Sequence, residues 1–132
     1  MAVAVTSDPR ADATVADPLT AADLFELLWV TLSDLLGSAA TATLLRRSMK
    51  ALLSRSPELE ALLITREGFE YRYVSPESWR AYSAETLSTF RDLAGELSPI
   101  LYDLTGIAVA HRLDNLVQFR RSGIRFSREQ LS

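Results

Sequence analysis

The chain is predicted to be an α+β domain, a mainly helical bundle with one inserted antiparallel β-hairpin. Three observations predict it. Apolar residues recur at three- and four-residue steps over most of residues 20–117. One stretch, ALLITREGFEYRYV at 61–74, breaks that period and alternates on either side of Glu67-Gly68. The 132 residues, 48% hydrophobic and 23% charged, suit one domain with a core of its own.

Residues 1–18 mix Ala, Asp, Pro, Thr and Val without periodicity and read as a disordered leader. A single helical domain is expected over 19–118. Thr20 has the form of an N-cap with Asp23 three residues on, and Gly37 stands where a left-handed C-terminal residue is expected. Between them Leu24, Phe25, Leu28, Trp29, Leu32, Leu35 and Leu36 share one helical face, opposite Asp23, Glu26, Ser33 and Asp34. Leu27 and Val30 fall inside that polar arc, which marks them as a second contact surface.

Ser38 opens the next helix, to about Ser54, with Leu44, Leu45, Met49, Ala51, Leu52 and Leu53 inward and Arg46, Arg47 and Lys50 outward. The short link at Gly37 makes the pair an antiparallel helical hairpin. Ser56-Pro57-Glu58 and Ser75-Pro76-Glu77 are both helix-start signals and each begins a short helix or turn.

In the β-hairpin at about 61–74, a Glu67-Gly68 turn sets Ile64 against Tyr71, Leu62 against Tyr73 and Thr65 against Glu70. One face is then Leu62, Ile64, Phe69, Tyr71 and Tyr73. An isolated hairpin is marginal in water, so that aromatic face must be covered by helices or by another subunit.

Ser83 or Ala84 starts a long helix whose Leu87, Phe90, Ala94, Leu97, Leu101, Leu104 and Ala108 form a heptad-like seam, with a kink or break expected before Pro99. From Pro99 to about Val117 the pattern is apolar on most sides, as in a helix central to the core or covered by a partner. Gly106 and Ala110, one turn apart, leave room for another backbone. Residues 119–132 read as a basic mobile tail.

Catalytic chemistry finds no foothold. There are no cysteines, which excludes disulfides, thiolate zinc sites and cysteine nucleophiles. The five glycines never cluster into a phosphate loop, and no serine sits in a nucleophile elbow. His111 is the only histidine, so motifs needing two are absent and no metal site is predicted. It falls near Ile100, Leu104 and Ile107 on the helical wheel, where it packs neutral or bonds Asp114 or Asn115; haem is the one cofactor it could ligate. Asp103 lies two turns away from it on the same helix, too far for an acid–base pair. Glu67, Glu70 and Arg72 read as opposed charges on a solvated strand. No enzymatic activity is expected.

The net charge of -3 is unevenly spread. Residues 1–36 carry six acids and Arg10, whereas 111–132 carry five arginines against Asp114 and Glu129. Thirteen of the fourteen basic residues are arginine, a bias that with the Ala and Leu content points to bacterial base composition. Overall acidity disfavours nucleic acid as the main partner. The N-terminus lacks a secretory pattern and no apolar run approaches the roughly 18 residues of a membrane span, so a cytoplasmic protein is expected.

Together these features predict a non-enzymatic regulatory or adaptor protein that acts through protein contacts as a homodimer. Leu27, Val30, Phe69, Tyr71, Tyr73, Gly106 and Ala110 are the candidate interface. The alternative from a different class is a small-molecule sensor holding haem or another apolar ligand in an aromatic pocket of Trp29, Tyr71, Tyr73 and Trp79, with His111. A third reading is a nucleic-acid-binding accessory protein using the arginine faces.

Overall fold

A reciprocal cap opens the first described helix. Thr20 Oγ1 accepts from the Asp23 amide at 3.0 Å, and Asp23 Oδ2 accepts from the Thr20 amide at 3.1 Å. It opens α1 (Ala21–Leu36) in a computed structural model that describes residues 18–127. The expected leader therefore lies outside the described residues except for Pro18, as do residues 128–132.

Gly37, at φ 90°, is the whole link between α1 and α2 (Ser38–Leu52). The chain reverses there because glycine alone takes that φ without strain. A 3-10 turn (Pro57–Ala61) leads to β1 (Leu63–Glu67) and β2 (Glu70–Val74), and a second one (Glu77–Arg80) leads to α3 (Ala84–Thr105). Ser83 caps α3 through the Thr86 amide at 3.0 Å. Two shorter helices follow, α4 (Ile107–Asp114) and α5 (Val117–Arg121). Four helices of seven or more residues and one two-stranded antiparallel hairpin make this the expected α+β, mainly helical fold.

The hairpin turns one residue later than Glu67-Gly68. Glu67 pairs with Glu70, so Gly68 and Phe69 form the turn, and Ile64 faces Tyr73 rather than Tyr71. Gly68 adopts φ 64°, the positive value that the first position of a primed turn requires. Glu67 stays in the strand and bonds Arg72 at 2.8 Å. A slip of two in pairing keeps every strand side chain on its own face. Ile64, Tyr71 and Tyr73 therefore point inward as expected, but Phe69 leaves the aromatic face and stands at the tip, 95% exposed.

α2 lies across the ribbon and bonds one outward backbone group on each of its edges. In a two-residue hairpin the residues at 64, 66, 71 and 73 turn their backbone groups outward. Ser38 Oγ accepts from the Tyr71 amide at 3.1 Å, while Arg46 Nη2 donates to the Ile64 carbonyl at 2.7 Å. The Arg46 guanidinium also sits 5.5 Å from the Tyr71 ring centroid. Arg46, expected on a solvated face with Arg47 and Lys50, is thus part of the packing.

The core is threaded by a chain of rings. Tyr73 meets Phe25 edge-on at 4.7 Å, Phe25 meets Trp79 at 6.0 Å, and Trp79 meets Phe90 at 6.3 Å. Phe90 stacks on Phe119 at 6.3 Å, and Phe119 meets Phe126 at 5.1 Å. Leucines from α1, α2 and α3 fill in around it, with Leu28, Leu32, Leu45, Leu52, Leu93 and Leu97 fully buried.

Three further expectations are corrected. The helix does not break before Pro99; it runs through to Thr105. Pro99 and Gly95 both lie on the solvent side, where water can serve the carbonyl that the proline leaves unbonded, and Leu97 and Leu101 hold the inner face buried. The break comes instead at Gly106, whose φ of 75° lets it close α3 and start α4. The seam is buried from Phe90 to Leu101 but fails after it, with Leu104 exposed.

The basic stretch from 119 is packed as far as it is described. Phe119, Ile124 and Phe126 are buried, and Asp114 accepts from the amides of Phe126 at 2.6 Å and Ser127 at 3.0 Å. Arg91 Nη2 donates to the Ser122 carbonyl at 3.1 Å. The arginines between these apolar positions face outward, so net charge concealed an ordinary amphipathic pattern.

Trp79→Ala should cost about 3–5 kcal/mol in urea denaturation, because a fully buried indole leaves a cavity, whereas Phe69→Ser should stay within about 0.5 kcal/mol. Asp114→Ala should cost about 2 kcal/mol by losing two charge-assisted bonds, with faster hydrogen exchange at Phe126 and Ser127 as its local signature.

Candidate protein-interaction surfaces

Of the aromatic residues proposed for a pocket, Trp29, Tyr73 and Trp79 do converge, with Tyr71 beside them over Arg46. Trp29 lies 5.1 Å from Tyr73 and 6.4 Å from Phe25 by ring centroid, and Trp79 is wholly buried against Phe25 and Phe90. These rings fill the space with each other. Four clefts among the described residues are lined by residues other than these rings.

His111 is not brought to them. It is exposed and lines a polar cleft with Asp114, Asn115, Arg120 and Arg125. The wheel that placed it beside Ile100 and Leu104 assumed one continuous helix, and the turn at Gly106 rotates α4 out of that register. Asp103 is likewise exposed, beside a small cleft with Arg47, Leu44, Ile100 and Leu104. Among the described residues no three His, Asp or Glu side chains are grouped as metal ligands.

The candidate interface residues divide in the same way. Ala110 is fully buried within its own chain, and Gly106 is an exposed helix terminus with no neighbour close to where a Cβ would stand. Tyr71 and Tyr73 are committed to the inner face of the ribbon. Leu27 and Val30 do share a groove, walled by Leu19 and Leu24 on one side and Gln118 on the other. Val30 is 42% exposed there, and Asp23 and Glu26 make the rim acidic. The Gln118 wall comes from α5, which periodicity in α1 alone could not reveal.

A second apolar surface was only partly foreseen, since Phe69 was a candidate contact residue but Leu63 and Val74 were not. Leu63 and Val74 oppose each other on the outward face of the hairpin, 53% and 55% exposed, with Phe69 at the tip. The signal was present in the alternation, since residues 63 and 74 have the parity of Thr65 and Arg72. Between the apolar base and the tip, that face carries Thr65 and Arg72, then Glu67 and Glu70.

The groove and the ribbon meet at one hydrogen bond, in which the Tyr73 hydroxyl donates to Glu26. Burial, then that bond and the carboxylate's negative charge, push the Tyr73 phenol well above its ordinary range.

No family model matches the chain, and no curated protein or solved structure matches it either. Among the described residues no helix is long and apolar enough to cross a membrane.

Because the folded state holds the Tyr73 proton more tightly, its contribution to stability is complete below the ordinary tyrosine value of about 10 and is lost as pH rises toward the raised one. Chemical denaturation across alkaline pH should show this loss in the wild type and less of it in Tyr73→Phe.

Proposed function

We propose that the chain is a non-enzymatic regulatory or adaptor protein, bacterial and cytoplasmic, that acts through protein contacts as a homodimer. The observation that carries this reading is the outward face of the hairpin, where Leu63, Val74 and Phe69 stand exposed on a ribbon whose other face is already covered. Paired sheets hide such a face most simply against a copy of themselves, and a two-fold axis makes one patch serve both sides.

The order of residues along the ribbon suits that symmetry. With the axis through Thr65 and Arg72, the Phe69 tip of each copy lies toward the Leu63–Val74 base of the other. Arg72 then lies one step along the ribbon from the partner's Glu67–Glu70 pair as well as beside its own Glu67. Strands of five residues span only about 17 Å, so the contact is smaller than the roughly 800 Å² per partner of stable complexes. The dimer is accordingly weak and concentration-dependent, as suits a regulatory contact. The acidic-rimmed groove along α1 is made by other residues and stays open to a different protein in the pair.

Sedimentation velocity from about 10 to about 500 µM should show a monomer–dimer equilibrium, the range set by so small an interface. Val74→Arg or Phe69→Ser should shift it to monomer, and Val30→Arg should leave it unchanged. A monomer throughout the range would refute the proposal.

A further inference from the structure

We infer that the polar cleft between α4 and the C-terminal segment is a binding site for a small phosphate-bearing anion. The cleft encloses about 560 Å³ and is lined by His111, Asn115, Arg120 and Arg125 together with Asp114. Its donors come from three separate pieces of chain: α4 and its end, α5, and the segment after Gly123. Gly123, at φ 73°, makes the turn that sets Arg120 and Arg125 on the walls of one cleft.

The local charge is strongly positive although the chain is acidic overall. Residues 111–125 hold Arg112, Arg120, Arg121 and Arg125 against Asp114, while the whole chain carries -3. Asp114 is the one carboxylate among the described residues that line the cleft, and it is already engaged. Its oxygens accept from the Phe126 and Ser127 amides, and its side chain is only 14% exposed. Its ion pair with Arg125 is long, at 4.0 Å, and the Arg125 side chain is 56% exposed, so that guanidinium retains donors for a ligand. What faces the cleft is thus a set of nitrogen donors beside a carboxylate whose oxygens already accept from two amides.

That arrangement selects among anions. A lone carboxylate is met fully by one guanidinium fork, whereas a phosphate offers three oxygens that several donors can share. Two guanidinium groups and a side-chain amide, carried on different elements of one cleft, match the second geometry. The site uses none of the surfaces proposed for protein contact and stands or falls apart from them.

The test is titration of the full chain with inorganic phosphate, pyrophosphate and acetate at constant ionic strength, followed by amide chemical shifts at Asn115, Gly123 and Arg125. Saturable shifts with phosphate and pyrophosphate are expected, with acetate weaker by at least about tenfold because it can engage only one fork. Arg120→Ala should weaken phosphate binding by about tenfold or more, as loss of a charge-assisted donor pair would. Arg120→Lys, which keeps the charge but not the fork, should fall between it and wild type, and Arg47→Ala in another cleft should bind as wild type does. Arg120 is exposed, so its variants should keep the wild-type spectrum elsewhere. Shifts that never saturate, that acetate reproduces at equal strength, or that persist unchanged in Arg120→Ala would overturn the assignment.

Discussion

Everything in this fold hangs on the line of rings from Tyr73 to Phe126. Most contacts in it join separate elements of the chain. Tyr73 brings in the hairpin, Phe25 the first helix, Trp79 the 3-10 turn, Phe90 the long helix, and Phe119 and Phe126 the C-terminal stretch. Aromatic side chains suit this task because each hides a large area while fixing only two torsions. A hairpin of this size would not persist in water alone. Here its inner face becomes one wall of a core that the helices supply.

The second constraint is backbone hydrogen bonding at the ribbon's edges. A two-stranded sheet has no interior strand, so every outward amide and carbonyl is an edge group. α2 meets one on each side, through Ser38 and Arg46. This explains why an arginine that periodicity assigns to solvent is held in place. The long stem lets the guanidinium reach past the helix surface and bond a carbonyl while it lies over a tyrosine ring. The same helix that shields one face of the ribbon therefore also blunts its tendency to recruit further strands.

Much of this architecture was legible from residue order. Thr20 and Asp23 announced the first helix, Gly37 its reversal and Ser83 the long helix, because capping is a matter of a few adjacent residues. The alternation around Gly68 announced a hairpin. What could not be read were choices decided by distant contacts. Gly68-Phe69 puts the glycine at the first turn position, where a positive φ is needed, and the packing of Tyr73 between Phe25 and Trp29 goes with that pairing. Pro99 looked like a breaker because its local cost is plain while the burial that offsets it is not. His111 was placed by extending a helical wheel across a glycine that ends the helix. Of the surfaces, Leu27 and Val30 could be picked out as apolar residues on a polar arc, but their groove needed Gln118 from the far end of the chain. The basic cleft was hidden for the same reason, since its arginines resemble a frayed tail until Asp114 is seen holding the backbone beside them.

The two indoles flank Phe25 in the hairpin half of the ring chain, each within 6.4 Å of it, with Trp29 next to Tyr73 as well. The protein thus carries a native optical reporter. Its tryptophan emission comes from the junction of the hairpin, the first helix and the second 3-10 turn, with Trp79 out of reach of aqueous quenchers and Tyr73 near enough to hand on its excitation. Opening of that junction would be visible in fluorescence while the far end of the molecule remained dark to the same light.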